Sequence, residues 1–463
     1  MSAAPAVSTA SGAEERVPLA SLVAYGLPAS GSGFLMILIL IYLMKFSTDV
    51  LLLQPAAVGV IFGLSRIWDA VSDPVAGYLS DRTRTRLGRR RPWLLASLLP
   101  IAAFNVMLWS PPTGLGEGAL VAWIAVAVFG LYTGLTIFSV PHYALGAELS
   151  RDYAERNRVF GARYLGFGIG SVLLVPLALH LLAGAPDPRA MAFGIACAAS
   201  LFVAGTIGFS AARLRERADH AGRGPASPFS ALADIWRNPH ARILLMVIFI
   251  EHLGNGAMSV LSPYVVEYVL GSPELLAPVL PLYLIPSLLS IPVWIRLGRR
   301  FGKKELWLAA MLLQTIAFGS FFAVGLVPVA VLGGIAALAG FAGGCGQILG
   351  PSLKADVIDW DELRTGERKE GAYFATWNFV QKSAGGVVAM LAGVALQLVG
   401  FEPNAEQSED AKFTIRALLS LLPCSFYAAG IAIFWRFRLD EAEHVRIRAA
   451  LDARRGGASA SRA

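Results

Sequence analysis

Arg66-Ile67-Trp68-Asp69-Ala70-Val71-Ser72-Asp73-Pro74 decides how this chain is read. Asp69 and Asp73 stand four residues apart, so on a helix their carboxylates share one face. They interrupt a largely apolar run, 55–80, of the length of a membrane crossing, which needs ~20 residues. Ionisable groups at such a depth cost at least ~2.5–3.5 kcal/mol each on insertion scales, and they face a cavity or a partner. Two anions this close repel unless a cation lies between them or one takes a proton. Ser72 adds a hydroxyl oxygen, and hard cations take oxygen ligands. The stretch reads as a cation or proton site inside a membrane helix, ahead of a structural pair neutralised by Arg66 or Lys382.

The rest of the composition agrees with a membrane setting. Of 463 residues, 15% are charged and 56% hydrophobic, and the mean hydropathy is +0.59. Soluble domains run near ~25% charged. These values exclude intrinsic disorder and leave too few polar groups to coat an ordinary soluble enzyme. Cys197, Cys345 and Cys424 sit far apart in apolar runs and show neither metal-ligand spacing nor a disulfide framework. Residues 1–18, with Glu14, Glu15 and Arg16, lack the order of a signal peptide and read as a disordered cytoplasmic tail.

Apolar runs recur at 19–45, 55–80, 92–111, 118–148, 157–183 and 189–212, then at 239–270, 275–298, 304–326, 328–352, 371–400 and 412–437. The expected fold is an all-α membrane protein of twelve transmembrane helices in two six-helix halves, 19–212 and 239–437. A cytoplasmic linker, 213–238, joins them, and a tail, 438–463, follows. Lys and Arg crowd the even-numbered loops (Arg82 to Arg91, Arg151 to Arg158, Arg296 to Lys304, Arg364 to Lys369) and the tail. The odd-numbered loops are nearly free of them, and the one near Phe401–Asp410 is acidic. The bias places both termini in the cytoplasm. The net charge of +7 is therefore topology and not a nucleic-acid patch.

A loop repeats across the halves. Gly77-Tyr78-Leu79-Ser80-Asp81-Arg82 leads to Gly88-Arg89-Arg90-Arg91 after the second span, and Gly298-Arg299-Arg300-Phe301-Gly302-Lys303-Lys304 follows the eighth. Parallel halves with a site between them are a transporter layout. Asp81, Arg82, Arg89 and Arg90 are candidates for a gate at the cytoplasmic surface, with a purely topological role equally weighted.

Further polar groups lie deep in the spans. Lys382 stands about eleven residues past Gly371, ~16 Å along a helix, and is the natural counter-charge for Asp69 and Asp73. Glu251, with His252 and Asn255, either lines a substrate cavity or pairs across the bundle. Thr136, Ser139, His142 and Tyr143 cluster around Pro141, which frees a backbone carbonyl. Arg163 near the start of span five either reaches inward or stays at the interface. Trp377 and Asn378 share a span with Lys382, and Gly385, Gly386 and Gly393 on that span suit close packing. The six histidines show no metal-type pairing, and neither a P-loop nor a nucleophile elbow is present. No enzyme constellation emerges.

Several motifs together resemble one known family. They are Tyr25-Gly26, Lys45-Phe46-Ser47-Thr48-Asp49, the Arg66-to-Pro74 element, Gly88-Arg89-Arg90-Arg91-Pro92-Trp93, Val140-Pro141-His142-Tyr143-Ala144-Leu145, Glu155-Arg156 and Ala355-Asp356-Val357-Ile358-Asp359, followed by Lys382. Over nearly its whole length the chain resembles the glycoside–pentoside–hexuronide:cation symporters of the major facilitator superfamily. The resemblance implies cation ligands at Asp69 and Asp73, with Ser72 and Thr136 beside them. It implies coupling at Lys382 and sugar contact at Arg163. Two departures stand out: the family's sugar-gripping acids of spans one and four correspond to Gly33 and Ser139.

The expected activity is symport of a glycoside or sugar with Na+ or H+ by alternating access, with no cofactor. The alternative is sodium-coupled symport of a lysolipid or other amphiphile, because a related branch keeps the span-two acids and the span-eleven lysine. A functional monomer in the inner membrane is expected, with the bilayer, the substrate and the coupling cation as its partners.

Overall fold

The computed structural model describes residues 16–149, 153–214, 216, 235–298, 300–366, 370–439, 443–447, 449–451 and 453. Most of the linker expected over 213–238 and of both tails lies outside these residues, as do Arg151, Arg299, Arg368 and Lys369.

Twelve long helices run through the described residues. They are α1 (Leu19–Leu38), α2 (Pro55–Arg82), α3 (Arg91–Trp109), α4 (Glu117–Glu148), α5 (Tyr153–Ile169, resuming at Val175–Ala183) and α6 (Pro188–Arg213). Then come α7 (Pro239–Tyr264), α8 (Leu276–Gly298), α9 (Lys303–Ser320), α10 (Val329–Thr365), α11 (Glu370–Leu398) and α12 (Glu409–Phe434). Eleven of them are long and apolar enough to cross a membrane. The twelfth, α2, carries Arg66, Asp69 and Asp73 along its middle.

Local chemistry sets the boundaries. Proline opens α2 and α6, where its missing N–H costs nothing. The Asn238 side chain accepts from the His240 and Ala241 amides to start α7, and Ser408 accepts from Ala411 to start α12. The apolar run expected to end at 352 continues as helix to Thr365, where Gly366 closes it at φ 76°. The extension is polar because it leaves the span: Lys303 donates to Asp356, and His444 lies 3.2 Å from Asp359. π-turns extend the ends of α1 (Phe46–Val50) and α7 (Val265–Val269), the matching helices of the two halves.

The halves meet along α2 and α11. The seam is close because glycines face backbone: a Cβ on Gly59 would lie 2.6 Å from the Ala389 carbonyl, and one on Gly393 would lie 2.3 Å from that of Pro55. At the face where α1 and α7 end, the halves are clasped by side chains. Lys45 pairs with Asp49 and with Glu267 at 3.0 Å. Tyr268 donates to Asp49, and the Thr48 and Tyr264 hydroxyls meet at 3.0 Å. Asn404 donates to the Asp49 carbonyl. At the opposite, basic face, polar contacts between described residues run within each half.

Candidate cation and substrate site

Arg66, Asp69 and Asp73 line one face of α2, turned toward α4 and α11. Arg66 lies flat across Gly386, where an added Cβ would sit 2.3 Å from its Cγ. Its Nη1 donates to Asp69 Oδ2 at 3.0 Å, and its guanidinium stacks on the Tyr132 ring at 3.9 Å. Lys382 Nζ donates to Asp73 Oδ2 at 2.5 Å and lies 3.7 Å from Asp69 Oδ2. Thr136 Oγ1 donates to the other Asp73 oxygen at 2.8 Å. Two acids thus face two bases, a balance that offsets the cost of burying them.

The balance is incomplete in hydrogen bonds. Asp69 Oδ1 and Ser72 Oγ are buried without a hydrogen-bond partner among the described residues. Unmet acceptors at such depth are expensive. Like the Asp73 and Thr136 oxygens, these are hard oxygen donors, the ligand type that a hard cation takes. Solvent reaches Asp73 and Lys382, whose side chains are 28% and 26% exposed, but barely reaches Asp69 at 2%.

The remaining candidates separate into distinct places. Arg163 sits well inside α5, which begins at Tyr153, and its guanidinium stacks on the Tyr143 ring at 3.5 Å. Position 163 is thus inward of the span start expected for it. Ser139 lies one turn beyond Thr136 on α4 and is half-buried. His142 is fully buried, stacked between the Tyr25 and Phe138 rings at 4.4 and 4.8 Å, with Nε2 3.0 Å from the Tyr25 carbonyl. Its ring holds α4 against α1 and does not face the acids. Trp377 is buried against Tyr373, while the neighbouring Asn378 is exposed. Gly33 faces Phe167, whose carbonyl would lie 2.6 Å from an added Cβ, so no acidic side chain fits there.

Glu251 and Asn255 belong to the interior of the second half. The Trp307 indole donates to the Glu251 carboxylate, and the Tyr283 hydroxyl donates to Asn255 at 2.9 Å. Of the loop residues, Arg90 pairs with Asp81, and Arg89 and Arg90 both reach Glu148. Arg82 is apart, exposed and stacked on Tyr78.

Three contributors carried no sequence signal of their own. Lys354 is buried on the part of α10 past the expected span, and its amine lies 5.2 Å from the Trp377 ring. Glu148 ends α4 as an ordinary surface acid would. Glu216 places its carboxylate on the amides of Arg89, Arg90 and Arg91 at 2.6 to 2.8 Å, against Gly88 at φ 108°.

Comparison with known proteins places this geometry. The family model described as MFS/sugar transport protein matches residues 24–441. The chain is 28% identical to an uncharacterized symporter, YjmB, of Bacillus subtilis, over 94% of this chain and 95% of that one. It is 27% identical to the isoprimeverose transporter of Lactiplantibacillus pentosus, over 95% and 93%. It is 26% identical to the sodium-dependent lysophosphatidylcholine symporter 1-A of Danio rerio, over 86% and 82%.

Proposed function

The chain belongs to the MFS/sugar transport protein family, and from that premise we propose that it carries a glycoside or sugar across the inner membrane together with Na+ or H+. One observation supports this most: Lys382, from the second half, closes on the paired acids Asp69 and Asp73 of the first. A cation entering the acid pair competes with the Lys382 ammonium for the same oxygens. Displacing Lys382 loosens the seam between α2 and α11 and frees the ammonium to meet a substrate hydroxyl. Because each ligand changes the other's affinity by the same factor, substrate that holds Lys382 away also tightens cation binding.

The positive-inside bias puts both termini and the basic face in the cytoplasm. The clasp of Lys45, Asp49, Glu267 and Tyr268 then closes the outer face. Rocking the halves exchanges that clasp for contacts at the basic face, where Asp81, Arg89, Arg90 and Glu148 lie. Arg163 with Tyr143, and Asn378, supply the substrate contacts, in a carrier that works as a monomer. Ser72 and Thr136, as hydroxyl ligands, favour Na+ over H+.

A second reading is a lysolipid or other amphiphile as cargo. It is favoured by the lack of an acid at Gly33, which packs against Phe167, and by the likeness to the fish lysophosphatidylcholine symporter. Counterflow in proteoliposomes, with a panel of sugars, glycosides and lysolipids in sodium-containing and sodium-free buffer, separates the two. Flux of no panel member under either condition would overturn both.

A further inference from the structure

The second half holds a buried acid that the Asp69–Asp73 site does not use: Glu251, in the middle of α7. Its Oε1 accepts from Trp307 Nε1, an indole that is almost wholly buried. Its Oε2 faces α10 at Gly346, where an added Cβ would lie 3.5 Å away. Among the described residues the carboxylate makes no ion pair. Lys354 on α10 is the charged group facing it, and that amine is held over Trp377 instead. The other titratable neighbours are Cys345 on α10, Tyr283 on α8, Tyr427 on α12 and His252 on α7 itself. Tyr427 donates to the Glu251 backbone carbonyl and Tyr283 to Asn255, so neither offers the carboxylate a hydroxyl proton.

An ionised carboxylate in such a place has one neutral donor and no direct counter-ion, which is an expensive form to bury. A protonated Glu251 is neutral and still accepts from Trp307. From this geometry we infer that Glu251 is a proton-binding site separate from the Asp69–Asp73 pair. Its proton sets the charge between α7, α9 and α10, facing Lys354. It makes the second half answer to pH independently of the cation bound at the seam. Its place in a transport cycle rests on the symport reading above; the binding of the proton does not.

Infrared difference spectra of the full chain in lipid vesicles, between about pH 5 and about pH 9, read this proton directly and need no transport. The wild type should show a carboxylic-acid carbonyl band that shifts in heavy water. Glu251→Gln, whose amide carbonyl can still accept from Trp307, should lose that band. Asp69→Asn with Asp73→Asn should keep it. Trp307→Phe should move its frequency, which covers the case in which Glu251→Gln does not fold. Identical pH difference spectra for wild type and Glu251→Gln would overturn the inference, as would a band insensitive to Trp307→Phe. Absence of flux in the counterflow assay with the Glu251 band present would count against symport alone.

Discussion

Lys382 Nζ on α11 sits 2.5 Å from Asp73 Oδ2 on α2, so an intramembrane ion pair ties the two halves at mid-seam. Thr136 holds the other Asp73 oxygen, which fixes the carboxylate between α4 and α11. On the proposed reading, Asp73→Asn removes the charge for which a cation and Lys382 compete. Uptake by that variant should lose its cation dependence, the ratio with and without the coupling cation falling to about one. Uptake that kept the full dependence would sink the assignment of Asp73. Lys382→Met should instead raise apparent cation affinity in direct binding assays, because the competing ammonium is gone.

Arg66 reaches Asp69 only because Gly386 lets it lie flat. The Cβ added by Gly386→Ala would already lie 2.3 Å from Arg66 Cγ, and Gly386→Val adds two methyls beyond it. Overpacking of this kind costs roughly 1–3 kcal/mol. The valine variant should unfold at lower temperature in detergent than the alanine variant. It should also raise apparent cation affinity, as Lys382→Met does, because the Arg66 guanidinium is displaced from Asp69. Unchanged stability for both would mean that the seam yields more readily than these contacts imply.

How much of this was legible in the residues follows from what each one does. The α2 acids could be read because a carboxylate has no cheap place in a span, so its presence alone is informative. Lys382 could be read for the same reason, and simple charge arithmetic paired it with them. Arg66 was visible only as a possible neutraliser, since its reach depends on a glycine on another helix. His142 pointed toward the site by composition, yet it packs between Tyr25 and Phe138, and no one-dimensional pattern records which ring stacks on which. Lys354 has no signal in the sequence because α10 runs past its apolar stretch, and its depth depends on the fold of α11. The linker acid Glu216 looked like one more charge in a polar stretch.

Glu216 itself supports a sharp expectation. Its two oxygens take three successive backbone amides at the entry to α3, in a turn that Gly88 permits. Amide bonds to a charged acceptor are the strong kind. Glu216→Ala should cost about 1–2 kcal/mol, and Glu216→Gln should cost less, because an amide oxygen still accepts. Thermal unfolding in detergent measures both. Equal stability for wild type and Glu216→Ala would show that water serves those amides as well.

The clasp at the far face predicts a shift in population. Asp49 accepts from Tyr268 and pairs with Lys45, which also reaches Glu267, so one acid anchors contacts on both halves. Asp49→Ala removes the acceptor and leaves Lys45 to Glu267 alone. Gln54 and Gln397 meet nearby, at 3.0 Å across the same seam, and report whether that face is shut. Cysteines placed at both positions, in a background with Cys197, Cys345 and Cys424 replaced, should be joined efficiently by a short bifunctional thiol reagent in the parent chain. With Asp49→Ala the yield should fall severalfold, because the unclasped face spends more time open. Adding the coupling cation with substrate should lower the parent's yield in the same direction, since loaded carriers rock. A yield indifferent to both Asp49→Ala and ligand would mean that the glycine-packed seam, not the clasp, keeps that face closed.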